Sequence, residues 1–187
     1  MSVRLQTGER PEVLRRIYSM GQTSSSAGNY DGILSCLGPM LRAARGMTAS
    51  LADAEDLVHD VVSSVLPKWD TLTSDPLPYL LRAISNRAVS RHRKGVAAMA
   101  ATSRLRTLQP GKTGSPPEAA VLEHEIVFTA LQALDPLRRA AVVLRYGLDL
   151  DVKSTAAILG HPEGTVRRWC HEALAQLRVD PTLREPS

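Results

Sequence analysis

Aromatic residues are scarce in this chain. They make up 4% of 187 residues: one Phe, two Trp and four Tyr. A core must therefore be built from Leu, Val, Ile and Ala, and a hydrophobic content of 43% is enough for one or two small domains. Cysteine is nearly absent. Cys36 and Cys170 lie far apart, match no metal-ligand spacing and fall on apolar helical stripes, so buried free thiols in a reducing cytosol are expected. No apolar run approaches the ~20 residues needed to span a bilayer. The first ten residues, MSVRLQTGER, are too polar for a signal peptide. No membrane insertion and a cytoplasmic location are expected. Catalytic signatures are missing too: there is no phosphate-binding glycine loop and no Ser/His/Asp grouping at a catalytic turn. His59, His92, His124, His161 and His171 are scattered, with no pair at metal spacing on an apolar face. An enzyme is not expected, nor any cofactor or metal.

What is present is helical periodicity and a mild positive charge. The net charge is +4, which permits a polyanionic partner. The most informative stretch is Asp151 to Arg178, DVKSTAAILGHPEGTVRRWCHEALAQLR. Asp151 is a good N-cap, since its carboxylate can accept from free N–H groups of a first helical turn. Val152, Ala156 and Leu159 share one face. Gly160 suits the left-handed end of a helix and Pro162 the start of the next. Val166, Trp169, Cys170, Ala173, Leu174 and Leu177 then form one apolar stripe, with Arg167, Arg168, His171 and Arg178 opposite. Small Ala156 allows close crossing of the two helices. The pattern is that of a helix-turn-helix presenting a basic second helix to a major groove. An ordinary helical hairpin with a solvated basic face would share it.

The rest of the chain reads as helical as well, giving an all-α fold of two small helical domains joined by a flexible linker. Residues 1–28 are expected to be an extension, with a short helix from Pro11 to Met20 and a flexible polar run, GQTSSSAGN. Residues 29–94 form the first domain. A helix from Tyr30 to Arg45 carries Ile33, Leu34, Leu37, Met40 and Leu41, with Gly38-Pro39 a candidate kink. Asp53 is the expected N-cap of the next helix, which buries Ala54, Leu57, Val58, Val61, Val62 and Val65 and turns Asp56, His59, Asp60 and Ser63 outward. Pro67 stops it. Tyr79 to Lys94 form a third helix with Leu80, Leu81, Ile84 and Ala88 inward and Arg82, Asn86 and Arg93 outward, flanked by Arg87 and Lys94. Residues 95–117 are the linker, basic and Gly/Pro/Ser-rich in its second half. Residues 118–178 form the second domain. Ile126, Val127, Ala130, Leu131 and Leu134 make one face, Asp135-Pro136 opens a helix burying Leu137, Ala140, Ala141 and Leu144, and the helix-turn-helix packs on this pair. Residues 179–187 are a loose tail.

AEDLVHDVVSSVLPKWD followed by PLPYLLRAISNRAVSRHRK is similar to region two of the extracytoplasmic-function class of bacterial RNA polymerase sigma factors. ALDPLRRAAVVLRYGLDLDVKSTAAILGHPEGTVRRWCHEALAQLR is similar to region four. The resemblance covers roughly residues 29–178 and includes order, spacing and the linker. It implies a two-domain factor that binds core RNA polymerase (its largest and beta subunits) and directs it to a two-part promoter DNA. Asp56, His59, Asp60 and Ser63 would match the surface gripping the coiled coil of the largest subunit, where the family commonly has Gln and Glu at the positions of His59 and Asp60. Arg82, Asn86, Arg87, Arg93 and Lys94 would match the helix reading the melted minus-ten element. The loop from Lys68 to Pro78 would match the one that captures a flipped base. Glu163, Thr165, Arg167, Arg168 and His171 would match the helix reading the minus-thirty-five element in duplex form. Such factors are commonly held inactive by an anti-sigma protein, which the resemblance implies as a further partner.

Two other readings compete. One is a stand-alone helix-turn-helix transcription regulator, distinguished by promoter binding without core polymerase. The other is a helical sigma mimic, which should lack the basic residues on both DNA-facing helices; this chain has them.

Overall fold

The computed structural model describes residues 27–72, 75–103 and 119–179, and every regular element among them is helical. The expected helix from Pro11 to Met20, the second half of the linker and the tail from residue 180 lie outside these residues. So does the centre of the loop from Lys68 to Pro78.

Helix α1 spans Ala27–Met47 and runs unbroken through Pro39. Its buried stripe of Ile33, Cys36, Leu37, Met40, Ala43, Ala44 and Met47 continues on both sides of the proline. Helix α2 spans Leu51–Val65 and buries the six expected apolar residues. Its N-cap is Ser50, not Asp53. The Asp53 amide donates to Ser50 Oγ at 3.1 Å, and the Ser50 hydroxyl donates to the Asp53 carboxylate at 2.6 Å. Asp53 thus sits inside the first turn, where a carboxylate also favours the helix dipole. A tight 3-10 turn, Leu66–Thr71, follows. Its Trp69 lies over α1: a Cβ built on Gly32 would stand 2.8 Å from the indole Cζ2. Trp69 is packing material there. Helix α3 spans Leu77–Ser103, so the Ala-rich start of the expected linker continues the helix.

Helix α4 spans Ala119–Gln132, and α5 spans Pro136–Val142 behind the expected Asp135 N-cap. A π-helical turn, Val143–Gly147, extends α5. Val127 and Leu137 depart from the expected core. Val127 is half-exposed at 50%, because at that turn Phe128 meets α1 instead, its ring 4.0 Å beneath the Arg45 guanidinium. Leu137 is only half-buried, and Arg139 is 3% exposed in its stead. Helices α6, Val152–Leu159, and α7, Glu163–Val179, form the helix-turn-helix.

The two sequence halves share one continuous hydrophobic cluster. Leu57, Leu80 and Ile84 from the first half and Leu144, Val166 and Ala173 from the second all belong to it. Helix α3 packs against α6, and α1 packs against both α5 and the π-helical turn. The approach is tight at Gly46, where any Cβ would stand 2.6 Å from Val143 Cγ2. Only glycine allows the helix backbone so near that valine. Cys36 and Cys170 are both buried free thiols, and burial raises both thiol pKa values.

Candidate nucleic-acid and polymerase interfaces

The helix-turn-helix is built largely from local cues. The Ser154 amide donates to the Asp151 carboxylate at 2.6 Å, and the Thr155 amide donates to the Asp151 carbonyl at 3.0 Å. Gly160 adopts φ 69°, ψ 34°, the left-handed geometry that ends α6 without a Cβ clash. Pro162 stands one residue before α7, where its carbonyl accepts from the amides of Thr165 and Val166. Val166, Cys170 and Ala173 are buried, while Trp169 is half-buried with its indole edge-on to His161, ring centres 4.7 Å apart.

The hydrogen bonds from Ser154 hold the Asp151 carboxyl below its ordinary value of 3.8, opposed by slight desolvation and helped by Arg145 and Lys153. A depressed folded-state pKa means that the charged cap stabilises above the unfolded value and is lost as pH falls through the folded one. Asp151→Ser keeps an uncharged cap. Its stability deficit relative to the parent is expected to shrink as pH drops below 3.8. Denaturant unfolding from neutral to strongly acidic pH checks this, and a pH-independent deficit would contradict it.

On α7, Glu163, Arg167, Arg168 and His171 are exposed and Thr165 is half-buried. Arg167 Nη2 reaches Glu163 at 3.0 Å, an exposed i,i+4 pair. Arg168 Nε stands 3.8 Å from Glu172, whose carboxylate is held more closely by Arg138 at 2.9 Å. Exposed pairs of this kind are worth roughly 0–1 kcal/mol, so both guanidiniums can leave for another anion.

On α3, the sequence-assigned residues divide. Arg82, Asn86, Arg93 and Lys94 are exposed. Asn86, Arg93 and Lys94 line a cleft of about 430 Å³ whose opposite wall includes Leu137, Leu159 and His161. Arg82 Nη2 would lie 3.4 Å from a Cβ on Gly160, which puts its charge at the C-terminal end of α6, where the helix dipole favours a cation. Arg87 does not join them. It turns the other way and donates to Ser64 Oγ on α2 at 2.8 Å.

On α2, Asp56 and Asp60 are exposed and His59 and Ser63 half-buried, all off the buried stripe. Asp60 is ion-paired with Arg91 of α3, so part of the expected acidic face is neutralised within the chain. Sequence reasoning missed Arg91. It also missed Arg139, whose signal was available: five consecutive apolar residues, AAVVL at 140–144, cover the whole helix circumference. A helix apolar all round is buried all round, and residue 139 shares the face of Val142 and Val143.

Among the described residues no helix is long and apolar enough to cross a membrane, and no group of three or more His, Cys, Asp or Glu is placed to hold a metal ion.

Comparison with known proteins accounts for both halves. Residues 33–97 match the family model "Sigma-70 region 2" and residues 124–177 match "Sigma-70, region 4". The RNA polymerase sigma-E factor of Streptomyces coelicolor is 30% identical over 151 residues, covering 78% of this chain and 81% of that protein. The sigma-E factor of Streptomyces avermitilis is 29% identical, covering 78% and 80%. In fold, the chain resembles the sigma factor RpoE from Bartonella quintana, co-crystallised with the anti-sigma factor NepR. The TM-score is 0.63 at 22% identity, over 81% of this chain and 97% of that one. Two region models in the family's order, together with a relative at 30% identity matched over 81% of its length, establish that the chain belongs to the sigma-70 family of RNA polymerase sigma factors, in its extracytoplasmic-function class.

Proposed function

We propose that this sigma factor acts in the cytoplasm without catalysing a reaction of its own, through three separate surfaces. Asp56, His59, Asp60 and Ser63 on α2 grip core polymerase. Arg82, Asn86, Arg93 and Lys94 on α3 hold the melted minus-ten strand, with Asn86 reading a base edge and the cations holding phosphates. Arg87 supports this helix from behind, through Ser64, rather than touching DNA. Glu163, Thr165, Arg167, Arg168 and His171 read the minus-thirty-five duplex. An anti-sigma protein, such as the one bound to the Bartonella relative, is the expected inhibitor.

The observation that carries the duplex-reading assignment is the polarity of α7. Arg167, Arg168 and His171 are exposed while Val166, Cys170 and Ala173 are buried. Arg168→Ala is therefore expected to leave helix content unchanged and to weaken promoter binding by the polymerase complex. A base contact predicts a loss of about 1–3 kcal/mol concentrated at one promoter position; a phosphate contact predicts a uniform loss and a salt slope lower by about one. Titrations over single-base promoter variants at several salt concentrations separate the two. Parental binding to every variant would sink the assignment. The same titrations without core polymerase test the family mechanism, since a stand-alone regulator would bind equally well alone.

A further inference from the structure

We propose that the cleft beside α3 is a binding pocket for a free adenine nucleotide, a ligand distinct from promoter DNA. The pocket shares Asn86, Arg93 and Lys94 with the minus-ten surface proposed above. On that reading, on which this consequence rests, nucleotide and promoter strand are alternative occupants of the same side chains.

The cleft has the size and walls of a small-ligand site. Its volume of about 430 Å³ falls within the roughly 300–1,000 Å³ of such pockets. Helix α3 supplies one wall, and Leu137, Leu159 and His161 supply the other. None of the described residues that line it is acidic. That lining disfavours a metal ion and suits an anion with an apolar body.

The polar groups are spaced for the two ends of a nucleotide. Asn86 and Arg93 are seven residues apart on α3, so they share a face and stand about 10 Å apart along the helix axis. An Asn amide can meet adenine twice, accepting from N6 and donating to N7. Arg93 and Lys94 at the other end can hold phosphate oxygens. Across the cleft, Leu137 and Leu159 offer the base an apolar surface, and His161 adds a ring on which a base can stack. These polar groups are also uncommitted. Arg87, Arg91, Arg167 and Arg168 are engaged by Ser64, Asp60, Glu163 and Glu172. Among the described residues no side-chain hydrogen bond or ion pair engages Asn86, Arg93 or Lys94.

Titration calorimetry of the full-length protein with ADP, in buffer free of divalent ions, tests this. ADP is expected to bind saturably at a single site. It should bind at least tenfold more tightly than adenosine or pyrophosphate, since each of those meets only one end of the pocket. Asn86→Ala should weaken ADP binding and abolish the preference for ADP over UDP. The double variant Arg93→Ala/Lys94→Ala alters exposed residues only and should weaken ADP at least tenfold with helix content kept. Leu137→Glu sets a carboxylate in the far wall. It lies in the first turn of α5, where the helix dipole favours an acid, and should also cost at least tenfold in ADP affinity. Failure of ADP to bind, equal affinity for pyrophosphate, or undiminished ADP affinity in these variants overturns the proposal and leaves the sigma-factor reading standing. Absence of transcription by the parent with core polymerase would instead strike at that reading.

Discussion

Replacing Arg139 with alanine is expected to cost the folded chain roughly 3 kcal/mol or more, because several acceptors lose a charged donor at once. The guanidinium is 3% exposed. Its Nη2 donates to the carbonyls of Gln132 at 2.7 Å and Leu134 at 3.0 Å, while Nη1 serves Gln132 Oε1 and Met47. Burial pulls its pKa below the ordinary value, and the nearby Asp135 charge partly opposes that. The planar fork suits this set of acceptors in a way a lysine ammonium does not, so Arg139→Lys should recover little. Arg138→Ala is the control. Arg138 makes one half-exposed ion pair, with Glu172, and its loss should cost about 1 kcal/mol or less. Denaturant unfolding of the three variants gives the comparison. Equal costs at positions 138 and 139 would contradict the buried network.

The second large effect is expected at the proposed polymerase surface. Asp56→Arg places a cation on the exposed side of α2, away from Leu57, Val58 and Val61. The fold should survive with unchanged helix content. Like-charge juxtaposition at an interface costs on the order of several kcal/mol, so affinity for core polymerase should fall by about a hundredfold or more at ~1.4 kcal/mol per decade. Asp60→Arg is expected to combine that loss with a smaller intramolecular one, because Asp60 also holds Arg91 of α3. Equilibrium binding to labelled core polymerase reads both. Parental affinity in Asp56→Arg would remove α2 as the gripping surface.

Local chemistry made much of this molecule legible in advance. Asp151, Ala156, Gly160 and Pro162 act within a few residues of themselves, and the helix-turn-helix forms where they direct. The apolar stripe of α2 was legible for the same reason. What sequence alone did not reveal depends on distant partners. Val127 fits its stripe, but its exposure is decided by Phe128 meeting Arg45 of α1. The burial of Arg139 was signalled by the apolar run after it, but its acceptors, among them the Met47 carbonyl on α1, were not. Arg87 and Arg82 share a helix and a charge, yet Arg87 donates to Ser64 while Arg82 lies at the end of α6. Helix periodicity places a side chain on an arc and leaves open which neighbour fills the space beyond it. The packing of α3 on α6 belongs to that class.

The measurement closest to the central claim is run-off transcription with purified core polymerase, on promoter fragments that the complex selects from a duplex library. Initiation is expected only when the protein, core and a two-part promoter are all present, and it should disappear when either element is scrambled. Tight promoter binding by the protein alone, with no initiation when core is added, would contradict the assignment and favour a stand-alone regulator.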